Sequence, residues 1–273
     1  MSNEIHATAV VAPGARLGQG NRVGPFAVIE DDVELGDDNA IGAHAVLKRG
    51  CRLGSANAVH EHAVIGGLPQ DIGFSERPSF VVMGDRNVLR EGVTVHRATR
   101  EQGSTRLGSD NFLMVNVHLG HDCQFGDRVI VATGAGFGGH VAVADRAFVS
   151  GGVMVHQYAR IGRFAMIGGN TKLTQDALPF MITDGVPGEV RGLNAVGLKR
   201  AGFTAADLRT LKQAYRTLFR GSGSLEEHLA ELGADPHPLV AELVEFIAGS
   251  KRGFHRAGSG AGSGAGSGPG GAS

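Results

Sequence analysis

The sequence predicts a left-handed parallel β-helix followed by a small α-helical C-terminal domain, and three observations predict it. From Ile5 to Leu173 almost every sixth residue is apolar. Small or asparagine side chains recur four places after each apolar one. Beyond Leu173 the period of six stops and a helical pattern takes its place.

The six-residue register runs from Ile5 through Val11, Leu17, Val23, Ile29, Leu35, Ile41, Leu47, Leu53 and Val59 to Ile65. It fails at Asp71 and Arg77, returns at Met83, Leu89 and Val95, and fails again at Glu101. It then runs unbroken from Leu107 to Leu173. A period of six does not match an α-helix, and it is the hexapeptide signature of a parallel β-helix. One large apolar residue per face fills a triangular prism. A small residue near each corner follows it (Ala27, Ala45, Cys51, Ala63, Cys123, Ala135, Ala147, Ala159, Ala165). Where that place is Asn (Asn21, Asn39, Asn57, Asn87, Asn111), the expectation is tolerance of a tight turn. Gly directly after the apolar residue (Gly18, Gly36, Gly54, Gly84, Gly108) is expected to ease the turn. Three hexads make one coil of about eighteen residues, and coils stack at roughly 4.8 Å.

The β-helix is expected over residues 1–175, with loops near 66–80 and 97–106 where the register fails. Residues 176–257 read as an irregular connector, up to about 200, and then helices. Thr204 with Asp207, and Ser224 with Glu227, look like capping boxes, and Pro238 suits a first helical position. The apolar faces are Leu208, Leu211, Tyr215, Leu218 and Phe219; then Leu225, Leu229 and Leu232; then Leu239, Leu243, Phe246 and Ile247. Residues 258–273 are a Gly/Ser/Ala tail of linker composition, set aside from fold reasoning.

Composition narrows the function classes. A formal net charge of −1 gives no global signal for nucleic acid or an anionic membrane. No apolar run approaches the ~18 residues of a membrane span. The opening MSNEIHATAV lacks the basic and apolar regions of a signal peptide, and two cysteines make no disulfide framework, so a cytoplasmic home is expected. Flat prism faces call for a partner, and a homotrimer packed side by side is the expected assembly.

Chemistry concentrates in Asn116-Val-His-Leu-Gly-His-Asp-Cys123. His44, His60 and His62 fall on outward repeat positions and read as solvated or interfacial. His96, His118, His121, His140 and His156 differ, because coil arithmetic stacks most of them. His121, Gly139 and Gln157 form one column, and Asp122 lies below His140 in the next. An imidazole near neutral pKa can take a proton, a carboxylate can orient it, and the Gly139 N–H can face an oxyanion. No Ser- or Cys-centred nucleophile motif is present, and the register turns Cys123 inward, so direct attack by the acceptor is preferred. A zinc site shared between subunits is the rival reading. It wants histidines spaced more widely than His118 and His121, so no metal and no cofactor are expected.

These residues carry a resemblance over nearly the whole chain up to about residue 256. Met83-Gly-Asp-Arg-Asn87, Val93-Thr-Val-His-Arg97, Leu107-Gly-Ser-Asp-Asn111, His118-Leu-Gly-His-Asp-Cys123, Val155-His-Gln157 and Gly197-Leu-Lys-Arg200 resemble the UDP-N-acetylglucosamine O-acyltransferases of lipid A synthesis. The resemblance implies a homotrimer with sites between subunits. It implies transfer of an (R)-3-hydroxyacyl chain from acyl carrier protein to the 3-position of a UDP-sugar. By the same resemblance His121 is the general base, Asp122 its partner and Gly139 the oxyanion donor. Asp71, with Gln70 beside it, meets the acyl hydroxyl. His118, His140, His156 and Gln157 line the groove, and His96 sits on its edge. Gly169 gauges acyl length, and Asn194 and Arg200 lie on the nucleotide side. Three positions depart from the family pattern: Gly73 replaces a lysine, Val196 a glutamate and Ala201 an arginine. An acceptor bearing a 3-amine is therefore the alternative, and a non-catalytic β-helix scaffold is another.

Overall fold

The computed structural model describes residues 2–258. The chain winds as a left-handed parallel β-helix whose three faces are sheets of very short strands. The first face starts at Glu4–Ile5, the second at Val10–Val11 and the third at Arg16–Leu17. Up to Met154–Val155 each strand pairs in parallel with the strand three further on, as in Glu4 with Arg22 and Arg16 with Glu34. The apolar register residues point inward, and Ile29, Leu47, Ile65, Leu89, Leu113, Leu119, Ile167 and Leu173 are fully buried. They form one continuous core along the prism axis.

Two reasons given for the repeat need correction. The asparagines do not make the turns. The left-handed backbone falls one residue earlier, at positions such as Asp38 (φ 57°), Ala56 (φ 57°) and Arg86 (φ 55°). The asparagines instead point into the prism as a buried ladder. Asn39 Nδ2 donates to Asn21 Oδ1 and to the Gly54 carbonyl (both 3.0 Å), Asn87 Nδ2 likewise to Asn57 Oδ1 and the Gly108 carbonyl (both 3.0 Å), and Asn57 Nδ2 to Asn39 Oδ1 (3.0 Å). A buried amide that satisfies the corner carbonyls of the next coil is worth keeping, because an unpaired one would be costly. Nor does the glycine after the apolar residue turn the chain. A Cβ at Gly36 would lie 2.8 Å from Gly54 backbone atoms, so glycine is there because successive coils approach too closely for a side chain.

Two excursions interrupt the coil. Strands Val64–Gly67 and Phe80–Met83 bracket the first, and Thr94–His96 and Ser104–Leu107 the second, so the ladder reaches further into both than periodicity suggests. Their bases are joined by the Arg97 N–H donating to the Gly67 carbonyl (2.9 Å) and by an Arg97–Glu76 ion pair.

The connector is not irregular. Met181–Asp184 adds to the first face and pairs antiparallel with Glu189–Leu193. Helix α1 (Ala195–Arg200) follows, with Asn194 as its N-cap. Periodicity could not reveal a hairpin this short. Helices α2 (Ala205–Arg220) and α3 (Leu225–Gly233) both begin with the expected capping boxes, and α4 (Pro238–Ala248) begins with Pro238. Their apolar faces close over Leu178, Met181 and Val190 at the end of the prism. The chain then returns, and His255 Nε2 accepts the N–H groups of Thr174 and Gln175 (both 3.3 Å). The Gly/Ser/Ala tail lies, from residue 259 on, outside the described residues.

Candidate active site

The site grows from three stacked corners between the second and third faces. Strand His118–Leu119 buries Leu119 and turns His118 outward, and the corner that follows carries His121 and Asp122. One coil on, Gly136–Phe137 leads into Gly139 and His140, and one further, Met154–Val155 leads into Gln157 and Tyr158. Asp122, His140 and Tyr158 share the left-handed corner conformation, with φ of 60°, 61° and 66°. That repetition stacks their side chains.

His121 Nδ1 lies 2.9 Å from Asp122 Oδ2. An ionised carboxylate only accepts, so Nδ1 carries the proton and Nε2 is left as a base. Asp122 is held in turn. Its Oδ2 accepts from the Thr99 N–H (3.0 Å) and hydroxyl (2.8 Å), and its own N–H donates to Thr105 Oγ1 (2.8 Å). Burial alone would push its carboxyl up. The hydrogen bonds from His121 and Thr99, with His140 nearby, outweigh burial and hold it below the usual carboxylate range. Asp122 is therefore charged wherever His121 needs it.

Gly139 is required by this packing. A Cβ there would fall 2.4 Å from His121 Cε1 and 2.5 Å from Nε2. Its N–H takes no partner among the described residues. On the edge between the third and first faces, the N–H at the same repeat position is capped by a side chain from the next coil: Asp37 by Ser55, Ser55 by Asp85, Ser109 by Asp127. At Gly139 the donor is open.

The groove beside this pair encloses about 410 Å³ and is lined by Gln70, His96, His118, His121, Gly139, His156 and Gln157. His118 Nδ1 contacts Thr94 Oγ1 (2.8 Å), and His156 Nδ1 donates to the Gln157 carbonyl (3.1 Å). The His96 ring stands edge-on to His118, 4.9 Å between centroids. Burial, aided by His118 and His121, pulls the His96 pKa down to about 4, and burial also lowers His118. Both are neutral near pH 7, so these two rings line the groove uncharged. His140 stacks on Tyr158 (4.5 Å) and is lowered by burial despite Asp122.

Some expected residues lie elsewhere. Asp71 is exposed on the first excursion, where its Oδ1 accepts the Gly73 N–H (2.8 Å), and it reaches the site only electrostatically, through His140. Gly169 sits on the other edge of the second face, and a Cβ there would meet nothing closer than the Gly151 carbonyl at 3.7 Å. Asn194 is occupied as a cap, accepting from Gly197 and donating to the Phe164 carbonyl, and Arg200 closes α1. None of these four lines the groove of one protomer. Gly136 and Met154, which do line it, were missed. They are one and two coils above His118, so the same arithmetic reaches them.

His121, Asp122 and His140 also bring three ligand-type atoms within 4.8 Å of one another. A cation there would compete with the His121–Asp122 hydrogen bond.

The comparisons agree with the fold and the motifs. A family model described as Udp N-acetylglucosamine O-acyltransferase, Domain 2, matches residues 176–255. A Burkholderia thailandensis protein named acyl-[acyl-carrier-protein]–UDP-N-acetylglucosamine O-acyltransferase is 43% identical over 199 residues, 70% of this chain and 76% of that protein. The crystal structure of the Francisella novicida UDP-N-acetylglucosamine acyltransferase superposes with a TM-score of 0.90 at 32% identity, covering 93% of this chain and 95% of that one. That of the Bacteroides fragilis enzyme gives 0.90 at 34%, covering 92% and 100%.

Proposed function

The chain belongs to the UDP-N-acetylglucosamine O-acyltransferase family, and we propose on that premise that it transfers an (R)-3-hydroxyacyl chain from acyl carrier protein to the 3-hydroxyl of UDP-N-acetylglucosamine, the first step of lipid A synthesis. The observation that carries the reading is the pairing of His121 Nδ1 with Asp122, which leaves Nε2 free beside the open Gly139 N–H. His121 Nε2 takes the proton of the acceptor hydroxyl as its oxygen attacks the thioester carbonyl. The negative charge that develops on the carbonyl oxygen is met by the Gly139 N–H. Collapse breaks the C–S bond, and the imidazolium returns the proton to the departing thiolate. Asp122 stabilises that imidazolium throughout.

Gln70, His96, His118, His140, His156 and Gln157 are assigned to the substrate groove. Asp71 is assigned to the acyl hydroxyl, Gly169 to the far end of the acyl chain, and Asn194 and Arg200 to the nucleotide side. The last four need a neighbouring subunit to complete the site. A homotrimer is supported by the outward residues of the faces. On the first, after Glu4 and Arg22 in the opening coils, they are apolar (Ala40, Ala58, Val88, Phe112, Ile130, Phe148, Met166), and on the third mostly charged or polar (Arg16, Glu34, Arg52, Arg106, Gln124, Arg160). Ile72 at the tip of the first excursion is fully exposed in one protomer and suits the same partner. The division into a β-helix, 1–175, and a connector with helices, 176–257, follows the same reading. A cytoplasmic location follows from the carrier-protein and nucleotide-sugar substrates. No helix among the described residues is long and apolar enough to cross a membrane.

The test is a mass-spectrometric transfer assay with 3-hydroxyacyl carrier protein and two acceptors, UDP-N-acetylglucosamine and its 3-amino analogue. The proposal expects acylated UDP-N-acetylglucosamine as the main product. Acylation of the amino analogue alone would move the acceptor to an amine and give Gly73, Val196 and Ala201 a role.

A further inference from the structure

We propose that Cys123 is a positioning residue for the acyl-transfer step: its buried thiol locks the Gly138–Gly139 peptide so that the Gly139 N–H faces the groove. The inference rests on the reading of that N–H as the oxyanion donor. Cys123 follows Asp122 in sequence but points the opposite way, into the prism, where it is fully buried. Its Sγ lies 3.2 Å from the Gly138 carbonyl oxygen, and the thiol donates to it. That carbonyl and the Gly139 N–H belong to one peptide unit. The unit is trans, since the one cis bond among the described residues is Val186–Pro187. In a trans peptide the C=O and N–H point in opposite directions. A thiol that draws the carbonyl inward therefore turns the N–H outward, to the side of the His121 ring.

The lock is needed because of what flanks it. Both residues of the unit are glycines, which resist rotation of the peptide plane least. At other corners the equivalent carbonyl is held by the amide three residues on, as in Ala27 N–H to Gly24 (3.3 Å) and Ala165 N–H to Gly162 (3.1 Å). At Gly138 that bond is absent among the described residues, and the thiol is the donor in its place. The fold uses the same device on another edge. There, Asn21 Nδ2 holds the Gly36 carbonyl (2.9 Å), Asn39 that of Gly54 (3.0 Å) and Asn87 that of Gly108 (3.0 Å). Along the edge that carries the site, the residues stacked one coil either side of Cys123 are Thr105, whose Oγ1 accepts the Asp122 N–H (2.8 Å), and Val141, whose side chain has no donor to offer. A flipped peptide would aim a carbonyl oxygen at the developing oxyanion and repel it.

The experiment compares Cys123→Ala and Cys123→Ser in the full-length protein by steady-state transfer kinetics and thermal melting. Cys123→Ala, which removes the donor, is expected to lower kcat roughly five- to ten-fold, with KM for both substrates unchanged, as suits loss of one modest hydrogen bond that acts through geometry. Cys123→Ser, which keeps a donor, is expected to restore most of that loss. A merely structural role would change melting and leave the split between kcat and KM, and the rescue by serine, unseen. An unchanged kcat in Cys123→Ala, or a serine variant as slow as the alanine one, overturns the proposal. His121→Ala, run alongside, separates the two levels. If it too keeps full turnover, the site reading has failed; if it is inactive while Cys123→Ala is normal, only the positioning role has failed.

Discussion

His121 is set up by its neighbours in sequence and by residues one coil away. Asp122 fixes its tautomer at 2.9 Å, and Thr99 fixes Asp122 with two hydrogen bonds. In the proposed mechanism, replacing Asp122 with Asn removes the charge that would stabilise the imidazolium and offers an amide that can donate where only an acceptor serves. A loss of roughly 10²- to 10³-fold in kcat, with little change in KM, is expected from steady-state assays. The column His121, Gly139 and Gln157 was legible because a regular period converts sequence distance into spatial neighbourhood. Thr99 was not, because it lies in the second excursion, where the period fails and no arithmetic applies. The bond from Cys123 to Gly138 was hidden for another reason: the register gives a side chain's direction but not its partner.

At the scale of elements, capping boxes at Thr204 and Ser224 placed the starts of α2 and α3, since a cap is a local signal. The hairpin of Met181–Asp184 and Glu189–Leu193 left no such signal, being set by pairing with the last coil. The seam between prism and helices is fastened by His255, whose Nε2 accepts two backbone N–H groups. Burial holds the folded His255 pKa below its ordinary value. The unfolded chain therefore binds the proton more readily, with a pKa of about 6.5. The clasp contributes fully above that pH and is lost as pH falls below it towards the folded value. Protection of the Thr174 and Gln175 amides from hydrogen exchange, measured against the intrinsic rate at each pH, should thus fall on acidification from pH 7 to 5. His255→Gln, which keeps a neutral acceptor, should remove most of that dependence. Equal pH dependence in both proteins would place the acid sensitivity elsewhere.

For the whole molecule, periodicity revealed the prism and its core, while the contrast between its faces emerges only when outward residues are read by sheet. The apolar first face would leave Ile130, Phe148 and Met166 against water in a lone protomer. Burying such a stripe between subunits is favoured by roughly 25 cal/mol for each Å² of apolar surface. Phe148→Glu should therefore shift the sedimentation coefficient from trimer towards monomer while the β-helix stays folded by circular dichroism. A monomeric wild-type protein would remove the neighbour that Asp71, Gly169, Asn194 and Arg200 are assigned to meet. The most direct measurement is the rate of acyl transfer to UDP-N-acetylglucosamine by wild type and His121→Ala, each checked for intact assembly. The account predicts an acylated sugar from the wild type and turnover lower by at least about 10³-fold in the variant. Near-normal turnover by His121→Ala would contradict it.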